Sequence, residues 1–255
     1  MTLADDGRAD HGRSVDGARA VDGARAVDGA RAALAAVVGP GAAPLVPAMP
    51  STADPRAAAV LMLFGVLDGT PADRSAAAGA VGRDLDVLLL ARASTLRSHP
   101  GEVAFPGGRI DPGDDDAAAA ALREAREETG LDPTGVEVLG TLPAVPLAHS
   151  NHLVRPVLGW WREPTPVRVV DERESAAVFR TPVADLLDPA NRGVTVLRRG
   201  GQEWRGPAFT VRSDRGVHTL WGFTAMLLDA LFDRLGWTEP WDTAHELPLP
   251  AVRRT

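Results

Sequence analysis

The chain has 255 residues, 45% of them hydrophobic, and a formal charge of −7 from 27 basic and 34 acidic side chains. That supports one substantial soluble core, and without a basic excess or stripe a nucleic-acid partner is not expected. The absence of cysteine excludes a disulfide framework, a thiolate nucleophile and a thiolate-held metal.

A metal would have to be held by oxygen or imidazole, which favours hard cations such as Mg²⁺ or Mn²⁺. No apolar run reaches the roughly eighteen residues of a membrane span. The opening MTLADDGRADHGRS lacks the basic-then-apolar pattern of a secretory signal. A cytoplasmic protein with no membrane partner is the expectation.

In chain order, the first feature is a repeat. AVDGAR recurs every six residues, with Asp16, Asp22 and Asp28 each followed by Arg19, Arg25 and Arg31. Six is a poor match to a helix, and Gly17, Gly23 and Gly29 weaken one further. Residues 1–31 are therefore expected to be a disordered low-complexity tail. A short helix over 32–38 is expected to stop at Gly39-Pro40. Pro44, Pro47, Pro50 and Pro55 then mark an extended linker through residue 55.

One α/β domain with a mixed sheet is expected over residues 56–240, with 241–255 as a C-terminal extension. The apolar run 57–66 (AAAVLMLFGV) reads as a strand buried on both faces, and 86–91 (DVLLLA) as the next. Residues 136–142 and 154–161 read as strands, 181–187 as a short turn or helix, and 195–197 and 209–212 as strand-like. Two clear helices complete the set: 115–129, closed by Gly130, and 220–235.

The helix over 115–129 carries the chemistry. Glu124, Glu127 and Glu128 fall on one face at i, i+3 and i+4, and like charges so placed repel unless cations compensate. A divalent cation could do this, since Mg²⁺ accepts a few carboxylates and keeps room for waters and phosphate oxygens. Alone, Arg123-Glu124-Ala125-Arg126-Glu127-Glu128 would read as an ordinary salt-bridged face. Its neighbours change that reading. Phe105-Pro106-Gly107-Gly108 precedes the helix, and glycines let backbone approach a phosphate closely. Thr129-Gly130 then ends the helix at once, near a loop mouth.

These residues resemble the Nudix box: Gly, five residues, Glu, seven residues, then Arg-Glu-apolar-any-Glu-Glu-any-Gly-apolar. Gly108 opens it and Arg123 to Leu131 closes it. Two departures are visible: Asp114 replaces the first Glu, and eight residues separate it from Arg123. Upstream, Leu88-Leu89-Leu90-Ala91-Arg92-Ala93, then Arg97, Gly101 and Phe105-Pro106-Gly107-Gly108, is similar to the signature of the coenzyme A pyrophosphatase branch. Leu90 stands where Thr is usual.

The resemblance implies the Nudix α/β/α sandwich and metal-dependent hydrolysis of a pyrophosphate linkage. With coenzyme A as substrate the products would be 3′,5′-ADP and 4′-phosphopantetheine. It implies Mg²⁺ or Mn²⁺ on Glu124, Glu127 and Glu128, with Glu174 as an extra candidate ligand and Arg123 orienting a glutamate. Arg92, Arg97, Gly107 and Gly108 become candidates for substrate contact. Another nucleoside diphosphate derivative (ADP-ribose, NADH) is the alternative substrate, and a silent ligand-binding module the alternative class. The expected partner is a small CoA-type nucleotide, and a homodimer stays open.

Overall fold

A computed structural model of the chain describes residues 26–39, 41–47, 50–66, 72–96, 99–147 and 150–249. The expected disordered tail lies outside these residues up to position 25. Its last part does not behave as expected: residues 26–36 form a helix, α1. Ala30 and Leu34 of α1 are wholly buried in the main core, and Arg31 pairs with Glu137 (Nε to Oε2 2.9 Å). A Cβ at Gly29 would meet Ala80 at 3.8 Å, ordinary contact distance. Burial of an apolar stripe overrides the low helix propensity of that glycine.

The apolar run expected as the first strand forms β1, Arg56–Val66, and DVLLLA lies in β2, Leu85–Arg92. Both also carry the main sheet. β1 runs antiparallel to β2 and parallel to β7 (His152–Trp161), which pairs in turn with β5 (Val136–Thr141) and β6 (Val145–Leu147). β8 (Ser175–Pro182) lies along the other edge of β2. The sheet is mixed, as expected.

Alternation along β1 assigns the two faces. Ala59, Leu61 and Leu63 meet helix α2 (Ala117–Thr129), while Met62 and Phe64 join the opposite core. That second core is covered by α1, α3 (Val183–Leu187) and α4 (Gly222–Leu235). Helices on both faces of a mixed sheet give the expected α/β/α layering.

β1 and β2 part company midway, and this split creates the site. The register Phe64↔Val87 would carry on to pair residues 60 and 91, yet it does not. Val60 pairs with Gly107 of β4 (Gly107–Arg109), and Ala91 with Val103 of β3 (Val103–Ala104). The segment 103–109 therefore forms a wedge between the diverging strands. Among the described residues, no strand pairs with the other edge of β4.

A separate three-stranded sheet holds β9 (Arg192–Arg199), β10 (Gln202–Ser213) and β11 (Gly216–Leu220), with α4 against β10. The strand-like stretches at 195–197 and 209–212 are parts of this longer ribbon. Residues 241–249 are no loose extension. Val194 donates to the His245 carbonyl and accepts from Leu247 N, both at 2.8 Å. The Trp241 ring stacks on the buried Arg192 guanidinium, 4.6 Å from its centroid.

Candidate active site at the strand split

Helix α2 begins where Asp116 accepts from Ala119 N (2.8 Å) and stops at Gly130, whose φ of 69° few other residues adopt cheaply. Ala117, Ala120, Ala121 and Ala125 form its buried side. Methyl side chains let the helix axis lie close to the sheet, which brings Glu124 and Glu128 to β4.

The fit between α2 and β4 leaves no spare room. A Cβ at Gly108 would fall 2.4–2.5 Å from the carboxylate atoms of Glu124. A Cβ at Gly107 would fall 2.4 Å from the Ala59 carbonyl oxygen and 2.7 Å from Val60 Cα. Gly107 N–H donates to Glu128 Oε2 at 3.0 Å, so the helix carboxylate occupies the edge of β4 that no strand takes. The two glycines of the loop are thus steric requirements of the site.

Arg123 organises the remaining carboxylates. Its Nε and Nη2 grip Asp114 at 2.9 and 3.0 Å, its Nη1 reaches Glu124 at 3.0 Å and Glu127 at 3.2 Å, and Nη2 also donates to the Arg109 carbonyl at 2.9 Å. The displaced acid of the loop, Asp114, therefore has a definite position as the bidentate anchor of this guanidinium. Asp111 N–H donates to Asp114 Oδ2 at 2.8 Å, so the loop 111–114 folds around its own acid. The hydrogen bonds from Arg123 first, then the one from the Asp111 N–H, hold the Asp114 carboxyl below its ordinary pKa, and the anchored Arg123 in turn sets the position of Glu124.

The three expected ligands do not share one environment. Glu127 is exposed and turned toward Arg123, whereas Glu124 and Glu128 face β4. Burial pushes the Glu128 carboxyl up to about 7, opposed by the Gly107 hydrogen bond and reinforced by the charge of Glu124. Burial likewise raises Glu124, against the pull of Arg123. Among the described residues, no three Asp, Glu or His side chains form a ready-made metal cage. Arg123 holds Glu124 and Glu127, while the Gly107 N–H holds Glu128.

The donor chemistry nevertheless fits a hard divalent cation. The acidic groups that α2 brings to β4, Glu124 and Glu128, offer the oxygen donors such a cation takes, and burial raises the pKa of both. Glu174, exposed at the start of β8, adds to that negative field at Glu128. It is held nearby by its carbonyl, which accepts from Ala93 N at 2.9 Å.

Of the expected substrate contacts, Arg92 ends β2 on the α2 face, by the same alternation as Leu88. Its charge opposes the rise of Glu128. Its Nε is buried with no hydrogen-bond partner among the described residues, a state that costs about 1–3 kcal/mol unless a ligand satisfies it. Arg97 lies outside the described residues. The sequence leaves the role of Asp114 open; an apolar stripe of Ala118, Leu122, Ala125 and Thr129 is legible in it, and the structure buries Ala125 and Thr129 of that stripe together with Ala117, Ala120 and Ala121.

A family model described as the NUDIX domain matches residues 73–199. Proteins named uncharacterized Nudix hydrolase NudL from Cronobacter sakazakii and from Escherichia coli strain K12 are each 38% identical over 150 residues, 59% of this chain and 75% of theirs. A solved MutT/nudix family protein from Enterococcus faecalis has 16% identity and a TM-score of 0.42, covering 74% of this chain and 65% of that one. The matched family segment contains Arg92, both loop glycines, the α2 carboxylates and Glu174.

Proposed function

Because the chain belongs to the Nudix hydrolase family, we propose that it hydrolyses the pyrophosphate linkage of coenzyme A or its derivatives with Mg²⁺ or Mn²⁺. The products would be 3′,5′-ADP and 4′-phosphopantetheine. The observation that carries this reading is Glu128, pinned to the Gly107 N–H beside Glu124 at the split between β1 and β2.

Each residue has a task in that reading. Glu124 and Glu128, with Glu127 at the exposed rim and Glu174 adding its charge, would hold the cation. A divalent ion bound there neutralises the diphosphate and lowers the pKa of a water. Arg123, fixed by Asp114, sets the direction of the Glu124 carboxylate. Gly107 and Gly108 keep backbone close enough for a diphosphate to lie along β4. Arg92 offers its buried Nε to a phosphate oxygen.

The preference for coenzyme A rests on the upstream block from Leu88 to Gly108, and the test is a substrate comparison with Mg²⁺ and with Mn²⁺. The expected result is a higher kcat/KM for coenzyme A than for ADP-ribose, NADH or a dinucleoside polyphosphate. ADP-ribose ahead by tenfold, about 1.4 kcal/mol in transition-state binding, would move the assignment to another nucleoside diphosphate derivative. No metal-dependent cleavage of any of them would favour a silent ligand-binding module.

A further inference from the structure

The sheet face opposite α2 carries a second charged feature, at the end of β1 that pairs with β4. Arg56 lies directly beside His152 across the parallel β1–β7 pair, and Arg109 lies beside Ala58 across β1–β4. Parity along each strand places all three side chains on one face: Arg56 matches Met62 and Phe64, and His152 matches Leu158 and Trp160, all in the core opposite α2. Arg56 and Arg109 are diagonal neighbours, which puts their Cβ atoms about 7–8 Å apart.

Neither arginine is used by the fold. Both are exposed, and neither side chain has a hydrogen bond or ion pair among the described residues. His152 is half-buried on the β7 side of Arg56, with Arg109 on the β4 side. Burial first, then the charge of Arg56, with smaller contributions from Arg109 and His99, hold its pKa below the ordinary histidine value against the pull of a hydrogen bond with the Ser150 backbone. In a chain of net charge −7, three nitrogen-bearing groups on one small area, with no acidic side chain paired to them among the described residues, need an explanation.

Position supplies one. Arg109 is two residues beyond Gly107 on β4, about 7 Å along the strand, and its carbonyl accepts from Arg123. Among the described residues no strand pairs with the edge of β4 that meets Glu128, so a ligand that passes around this edge beyond Glu128 can reach both the carboxylates and the arginines.

We propose that Arg56, Arg109 and His152 form a second anion site that takes a phosphate monoester carried on the ribose of the nucleotide. A doubly charged phosphate matches two guanidinium forks and an imidazole N–H, and the ribose bridges the short span back to the diphosphate. This deepens the proposed pyrophosphatase reading and rests on it for the place of the diphosphate. The anion site itself can be measured without turnover.

The test is equilibrium binding of 3′,5′-ADP and of 5′-AMP to the full chain without metal. Wild type should bind 3′,5′-ADP at least tenfold tighter than 5′-AMP. Arg109→Ala and Arg56→Ala should each shrink that gap to less than threefold with little change for 5′-AMP, while Arg205→Ala on the small sheet should preserve it. Inorganic phosphate should bind far more weakly than 3′,5′-ADP; equal affinity would overturn the assignment to a nucleotide. No gap in wild type, or equal weakening of both nucleotides in the arginine variants, would overturn the site. If the gap holds but coenzyme A is not cleaved, the pyrophosphatase reading fails and the anion site stands.

Discussion

Glu128→Gln is expected to lower kcat by about two orders of magnitude or more at saturating Mg²⁺, the scale of losing a central electrostatic group. The amide keeps the shape of the side chain and can still accept from Gly107 N–H, so the fold should persist. Without metal the same change should stabilise the protein at pH 8. The Glu128 pKa is raised from 4.5 to about 7, so its neutral form suits the folded state. The stability it contributes is present below about pH 4.5 and lost as pH rises through 7. Glutamine stays neutral throughout. The metal-free variant should therefore melt a few degrees above wild type at pH 8, on the scale of 1 kcal/mol, and together with it near pH 4.5. Wild-type turnover in the variant, or a lower melting temperature at pH 8, would count against the assignment.

The second large effect separates two adjacent glycines. In Gly108→Ala the new methyl meets the Glu124 carboxylate at 2.4–2.5 Å. That carboxylate is the free end of a flexible side chain and can swing aside, so folding should suffer little. Its displacement should still lower kcat by about 100-fold, the cost of misplacing a catalytic group by roughly 1 Å. In Gly107→Ala the methyl meets the Ala59 carbonyl and Val60 Cα, which are backbone atoms of a central strand and cannot yield. β4 must then peel from β1, with a fall in melting temperature on the order of 5 °C or more. Melting curves and kcat for both variants check the contrast. Equal losses of stability, or full activity in Gly108→Ala, would mean that Glu124 does not sit against β4.

Much of this site could be read in the sequence, because its signals are local. Asp116 and Gly130 bound the helix, the alanines mark its buried side, and i, i+4 spacing brings Glu124 and Glu128 together. The wedge was not readable. Gly107–Arg109 has no strand propensity, and it pairs only because β1 and β2 diverge, a property of register between distant segments. Arg56 and Arg109 are 53 positions apart, and only the β1–β4 pairing makes them neighbours. Glu127 was grouped with the other two glutamates by spacing, yet a partner on its own helix, Arg123, draws it outward. At the termini, a polar repeat concealed the apolar stripe of Ala30 and Leu34, and the stacking of Trp241 on Arg192 has no local signature.

The central claim is that Glu124 and Glu128, held against β4, bind the divalent cation at which pyrophosphate is cleaved. Mn²⁺ titration followed by electron paramagnetic resonance tests this without reference to substrate. Wild type should bind Mn²⁺ in competition with Mg²⁺, and the Glu124→Gln, Glu128→Gln double variant should lose at least tenfold in affinity with its fold intact. Unchanged Mn²⁺ affinity in the folded double variant would contradict the account.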